Sequence, residues 1–388
     1  DSQTYRQHEP YQHSQHLDMV GAATAYAYDA FGQDVTIAVL DSSMTLDHEN
    51  WGHRVHGASK NHSEPNVPND HGDRVVSVIA GNPTTGFEYD DESGWNYGSV
   101  HGIAPGANLY LHGITNPNGS LNADAMDEGI AWAVNNNVPI INASHGRRSI
   151  DENDHMDADP VGNPDTYAAV FAPLVGSDTV YVTSAGNDGR DGLTIDAGAP
   201  VYVDGLEDNF LVVTAIGNDG VIMNDADRCG ISTANYCLAA PGQGIATVDG
   251  NGQVRNSNGT SFAAPQVSGA MALVLSRFPG VTAVEARERI LVTADSSGIY
   301  ADSSIYGRGV LDVDAAMQPV GMMSLHSLES LDSGATEPLH VTSMRAPDAW
   351  GDAMTVYLSS ANWVAFDELG APFQVDLSMS VKSDSAPV

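Results

Sequence analysis

Five short apolar runs set the strongest limit on how this chain can fold: TIAVL (36–40), ANLYLHGI (107–114), VPIINASH (138–145), TVYVTSAGN (179–187) and NFLVVTAIG (209–217). Each is dominated by apolar residues and lacks the alternation of a strand with one wet face. Such a run reads as a strand buried on both sides, the kind found in parallel sheets. Helical patterns lie between them. DRVVSVIAG (73–81) follows the first run, and LNADAMDEGIAWAVNNN (121–137) places Ala125, Ile130, Ala131 and Val134 at helical spacing after Ser120, a cap candidate. VTAVEARERILVTADS (281–296) reads as an amphipathic outer helix. Strands alternating with helices predict an α/β fold with a mostly parallel sheet, which binds ligands at the carboxyl ends of its strands. Several polar motifs sit at those ends.

The rest of the chain reads differently. Residues 1–16 are polar, with three histidines, and suggest an extended arm on a domain spanning 1–318. HLDMVGAATAYAYDAFG (16–32) suggests a short helix and a turn. After Gln318, short alternating stretches separated by Gly, Pro and Ser predict a β-rich appendage over 319–388. With 388 residues there is room for one large domain and such an appendage. No apolar run approaches the roughly 20 residues of a membrane helix. The chain starts at Asp1 without a signal-peptide pattern, which suggests a processed product.

Charge narrows the partners. Fifty acidic residues against 15 basic ones give −35 with histidine neutral. That field repels nucleic acid and anionic membranes, and favours solubility and cations. It fits a protein of salty water, where screening relieves self-repulsion, and equally a merely acidic secreted one. Cys229 and Cys237, in RCGISTANYCLAAPG, favour a small disulfide over two buried thiols in an exported chain.

Four residues stand out at element ends. Asp41 ends TIAVL, at the mouth of the sheet. His71 opens a helix in NDHGDRVVSVIAG, beside Gly72. Ser261 lies in NGTSFAAP, where loop becomes helix, next to main-chain N–H groups and a positive dipole end. Asn187 ends the strand in TSAGND. Each alone has a plain explanation: a turn or cap for Asp41, a cap or surface histidine for His71, an N-cap for Ser261, a turn for Asn187.

Together they have one explanation. The order Asp41, His71, Ser261 is one of the known triad orders, and the chain resembles a subtilisin-like serine protease over roughly residues 15–317. VLDSS resembles the family's aspartate motif, NDHGDRV its histidine motif and NGTSFAAP its serine motif; GIAPGANLY (102–110) and CLAAPG (237–242) resemble framework segments. The resemblance implies a subtilisin-like, doubly wound sheet flanked by helices. It implies a serine endopeptidase acting on proteins or peptides through Asp41, His71 and Ser261, with Asn187 donating to the oxyanion. It also implies an extended substrate held between Ser144-His145-Gly146 on one side and Ser184-Ala185-Gly186 on the other. Two departures stand in the motifs: Ser43 where the family has Gly, and Asp73-Arg74 where it has Thr-His. A third is His145, where the family has Leu, which should make the adjoining subsites more polar.

The chemistry needs no cofactor. Family members often bind structural calcium, and the acidic loops 88–93 and 151–160 offer oxygen ligands for it, though without EF-hand spacing. The ending from YGRGVLDVDAAMQPVG into the β-rich stretch resembles the passenger of subtilase autotransporters. That implies a secreted or bacterial cell-surface location and a removed pro-segment or C-terminal translocator. Two other functions fit the same residues: a narrow processing protease or sheddase, and a non-enzymatic adhesin or binding module on the same fold, which would have no need of all four polar residues.

Overall fold

The computed structural model describes residues 2–62, 70–85, 99–146, 169–194 and 196–326 and, beyond them, 336–339, 344–346, 357–358, 363–378 and 381–383. The chain divides into two compact units, Asp1–Met317 and Gln318–Val388.

The first unit is organised by β1 (Thr36–Asp41), β2 (Lys60–Asn61), β3 (Asn108–Gly113), β4 (Ile140–Ala143), β5 (Val180–Ser184), β6 (Phe210–Ile216) and β7 (Cys237–Pro241). They form one seven-stranded sheet in the order β2-β3-β1-β4-β5-β6-β7, and every pairing is parallel. β4 to β7 are buried along their whole length, and β1 at all but its first residue. That is why these segments read as solid apolar runs. β1 has β3 on one side and β4 on the other, with Asp41 in register with Gly113. The chain therefore departs in both directions from β1, and the crevice beyond its carboxyl end is where such sheets take ligands.

Helices cover both faces. Ala38, Leu40 and Ile141 point into a core that also holds Ala125, Ile130 and Ala133 of the helix Ala123–Asn135. On the opposite face Asn142 Oδ1 accepts a 2.8 Å hydrogen bond from Ser268, in the long helix Thr260–Arg277. The helix His71–Ala80 packs against that long helix and against a hairpin, β8 (Ile245–Val248) with β9 (Val254–Ser257). Helix Ala283–Thr293 opens on a full capping box, Thr282 with Glu285.

The amino-terminal arm is helical rather than extended: α1 (Ser2–Arg6), α2 (Glu9–His13) and α3 (Gln15–Met19) precede α4 (Ala22–Ala27). We number the later helices α5 (His71–Ala80), α6 (Ala123–Asn135), α7 (Thr260–Arg277) and α8 (Ala283–Thr293). Tyr11 anchors the arm. It is buried, its hydroxyl donates to the Leu17 carbonyl at 3.0 Å and accepts from Ala23 N at 3.2 Å, and its ring meets Tyr26 edge-on. The expected single helix after residue 16 is split at Gly21, which has φ +73; an added Cβ there would lie 2.6 Å from Asp314 Cγ. α6 is capped by Asn122, whose side chain accepts from Ala125 N, and not by Ser120.

In the second unit, β10 (Ser324–His326), β11 (Thr336–Pro338), β13 (Trp363–Phe366) and β14 (Pro372–Val375) form an antiparallel sheet in the order β11-β10-β13-β14, and β12 (Met344–Ala346) pairs with β15 (Val381–Ser383). The β13–β14 turn is held by Asp367, whose Oδ1 accepts from Leu369 N and Ala371 N.

Candidate active site

Asp41 is the last residue of β1 and is 2% exposed. Its Oδ1 accepts from Ser42 N at 2.7 Å and from His71 Nδ1 at 2.7 Å. That bond fixes the histidine tautomer: the proton sits on Nδ1, so Nε2 presents a lone pair. His71 is the first residue of α5. The helix start is held close to β1 because Gly72 has no side chain. Its N–H donates to Ser42 Oγ at 2.8 Å, and an added Cβ would stand 2.5 Å from Met44 Cγ and 2.8 Å from the Ser42 carbonyl oxygen.

Burial works against a charged imidazole at His71, but the charge and hydrogen bond of Asp41 outweigh it. Arg74 opposes protonation and Asp70 favours it, and the net pKa is raised. The Arg74 cation foreseen near this histidine is tethered: it pairs with Asp70 at 3.1 Å, donates to Ser257 Oγ at 3.3 Å and lies 5.6 Å from the Phe262 ring centre. Asp73 is bound to Thr45. Its carboxylate accepts from Thr45 N at 2.7 Å and Thr45 Oγ1 at 3.0 Å, and burial pushes it up to about 6.

Ser261 is the second residue of α7 and not its cap; Gly259 holds the cap position with φ 125. That backbone favours glycine, and an added Cβ would come within 3.1 Å of Asn187 Oδ1. Asn187 Oδ1 accepts from Thr260 N at 2.9 Å and Thr260 Oγ1 at 3.1 Å. With its oxygen so occupied, the side chain offers its amide N–H groups as donors. The first turn of α7 adds main-chain N–H groups without intrahelical partners and the positive end of the helix dipole.

Asp41, His71, Ser261 and Asn187 all line one cavity of about 480 Å³. Ser144, His145 and Gly146, which follow β4, line it too, as do Ser184 and Gly186 at the end of β5. Ala185, expected beside them, does not: it is fully buried and tied into the backbone ladder, its N–H on Val213 O and its carbonyl receiving Thr194 N. Thr115, Gly119, Leu121, Asp188 and Thr194 line the cavity unforeseen. Thr115 and Leu121 are bridged across the loop after β3, whose place beside β1 was the available clue. Thr194 packs on Gly146, where an added Cβ would lie 2.8 Å from its Oγ1. Cys229 and Cys237 are joined by a disulfide. The acidic loops 88–93 and 151–160, and residues 147–149 beyond Gly146, lie outside the described residues.

Comparison with known proteins agrees with this geometry. The model of the subtilase family, Peptidase_S8, matches residues 32–309. Subtilisin E of Bacillus subtilis (strain 168) is 32% identical over 320 residues, covering 81% of this chain and 72% of its own. The subtilisin of Bacillus pumilus is 32% identical over 310 residues, covering 78% and 98%. Among solved structures, the self-cleaved protease domain of PatA aligns with TM-score 0.56 at 25% identity, over 74% of this chain and 96% of its own. The prenylagaramide maturation protease PagA shares the fold, with TM-score 0.58 at 22% identity over 76% and 97%. With the family matched across the sheet, α5 and α7 alike, the chain belongs to the subtilase family and is a serine endopeptidase.

Proposed function

We propose that this protease cuts peptide bonds through Asp41, His71 and Ser261, with Asn187 and the Ser261 N–H stabilising the oxyanion. The observation that carries the reading is the 2.7 Å bond from His71 Nδ1 to buried Asp41, on a cavity that Ser261 and Asn187 also line. A serine hydroxyl is a weak nucleophile without a base. His71 Nε2 takes the Ser261 proton as Oγ bonds to the scissile carbonyl carbon. Asp41 keeps the imidazole oriented and stabilises its charged form. The Asn187 amide and main-chain N–H groups at the start of α7 receive the negative oxygen. His71 then protonates the leaving amine, and water hydrolyses the acyl-enzyme by the same steps. The substrate lies extended between residues 144–146 and 184–186, pairing as an added strand.

Export fits the disulfide and the −35 charge. A narrower role, as a processing or maturation protease, draws on the maturation protease PagA and on the polar His145 in the subsite wall. Hydrolysis of casein and of a peptide library tests the proposal. Ser261→Ala should abolish turnover in a protein that still folds. Asn187→Ala should lower kcat about 100–1,000-fold with KM little changed, the cost of losing one such donor in a subtilisin itself. Turnover by Ser261→Ala equal to the parent's would overturn the mechanism, and no turnover by either would favour a binding module on this fold. Cleavage of a few library sequences alone would favour the narrower role.

A further inference from the structure

At the β2 edge of the large sheet, three side chains from three elements meet. His62 directly follows β2, His112 lies on β3 and Glu128 on α6. One ligand atom from each lies within 4.8 Å of the others. His62 Nε2 is 3.3 Å from Glu128 Oε2, and Lys60 Nζ bonds the other oxygen, Oε1. His112 is fully buried. Its Nδ1 is 2.8 Å from the Tyr110 hydroxyl, while its Nε2 has no partner in hydrogen-bond geometry among the described residues. The Ala125 main chain bears on this ring without reaching hydrogen-bond geometry. α6 closes over the ring at Gly129, where an added Cβ would lie 3.1 Å from His112 Cδ2.

An ion pair of Lys60, Glu128 and His62 explains the two outer residues but leaves the buried imidazole nitrogen with only the Ala125 main chain near it, outside hydrogen-bond geometry, which is costly. A cation explains all three. Two imidazoles and one carboxylate are the donor set of zinc and its neighbours, whereas calcium and magnesium take oxygen. We propose that His62 Nε2, His112 Nε2 and Glu128 Oε2 bind a divalent transition-metal ion of the zinc class, with water in the fourth position. Metal–ligand bonds near 2 Å need donor atoms about 3.3 Å apart, and the half-exposed Glu128 and His62 side chains rotate to close that distance. Tyr110 accepts the His112 Nδ1 proton and fixes the tautomer, and Lys60 holds the outer carboxylate oxygen, the usual support around such ligands. The ion ties β2, β3 and α6 together. β3 leads into the Thr115–Leu121 wall, so the ion steadies the backbone on that side of the cavity.

The test uses the full chain carrying Ser261→Ala, which prevents self-digestion, stripped with a chelator and titrated with Zn²⁺ alone in a calorimeter. One site is expected, with a rise in Tm of about 3–6 °C at a hundredfold excess over Kd. His62→Gln and Glu128→Gln, both at the surface, should each weaken binding tenfold or more. Co²⁺ in place of Zn²⁺ should give visible d–d bands that His62→Gln abolishes. No Zn²⁺ binding, or binding unchanged in both variants, would overturn the site; the chain has 14 histidines, and unchanged binding would put the ion on others. Displacement of Zn²⁺ by millimolar Ca²⁺ would overturn the choice of ion.

Discussion

At the scale of single residues, the proposed mechanism makes the reaction depend on when His71 is neutral. Only the neutral ring accepts the Ser261 proton, so the acid limb of kcat/KM follows the His71 pKa in the free enzyme. Burial lowers that pKa, Asp41 raises it beyond the ordinary histidine range, and Arg74 lowers it in part. Removing the cation as Arg74→Gln also releases Asp70, which favours protonation. Both changes act in one direction: the acid limb should move to higher pH, with activity at alkaline pH little altered. A pH profile of kcat/KM that stays in place or moves down would show that Arg74 does not act through this histidine. The four polar residues were legible because each closes a short motif at a strand end or helix start. The details were less so. Ser261 reads as a cap, but Gly259, with its positive φ, takes that position and moves the serine into the first turn. Ala185 reads as a wall residue, but backbone bonds to Val213 and Thr194 draw it behind the cavity surface.

Among the elements, α5 carries a buried carboxylate whose cost can be measured. Asp73 is 4% exposed and its pKa is pushed up to about 6 by burial, against two hydrogen bonds from Thr45. A group whose folded pKa is raised gives stability that is present below its unfolded pKa and is lost as pH rises through the folded value. Between about pH 4 and pH 7 the fold therefore loses on the order of 3 kcal/mol at this one site. Asp73→Asn keeps an acceptor for Thr45 N and supplies a donor for Thr45 Oγ1. Its Tm should match the parent's near pH 4 and exceed it by roughly 5 °C above pH 7. Equal melting curves at both pH values would mean that the carboxylate is ionised without penalty. The strands of the large sheet were legible because burial on both faces leaves nothing polar to interrupt them. The amino-terminal helices were not. Helices of five residues carry too little periodicity to be seen, and side-chain contacts hold them: the Tyr11 hydroxyl on Leu17 and Ala23, the Arg6–Asp18 ion pair and the Tyr5 ring against Tyr26. The antiparallel sheet of the second unit showed itself through alternation and turn residues, of which Asp367 and Gly370 are an example.

For the whole molecule, charge is the dominant property. A net −35 with only two lysines, Lys60 and Lys382, stores self-repulsion that the folded chain must overcome. The Debye length falls from about 30 Å at 0.01 M salt to about 3 Å at 1 M. Tm should therefore rise by at least about 5 °C between those conditions; no gain would show that the acidic surface is neutral to stability and unrelated to salty surroundings. The same field gathers cations and repels nucleic acid, which leaves protein and peptide as the substrate class consistent with the family.

The central claim is that Ser261 is a nucleophile activated by His71 and Asp41. Labelling the folded chain with a serine-directed fluorophosphonate and mapping the adduct by mass spectrometry tests it most directly. Rapid modification at Ser261 alone is predicted, slowed at least about 1,000-fold in His71→Ala. An unlabelled native protein, or an adduct that persists in Ser261→Ala, would contradict it.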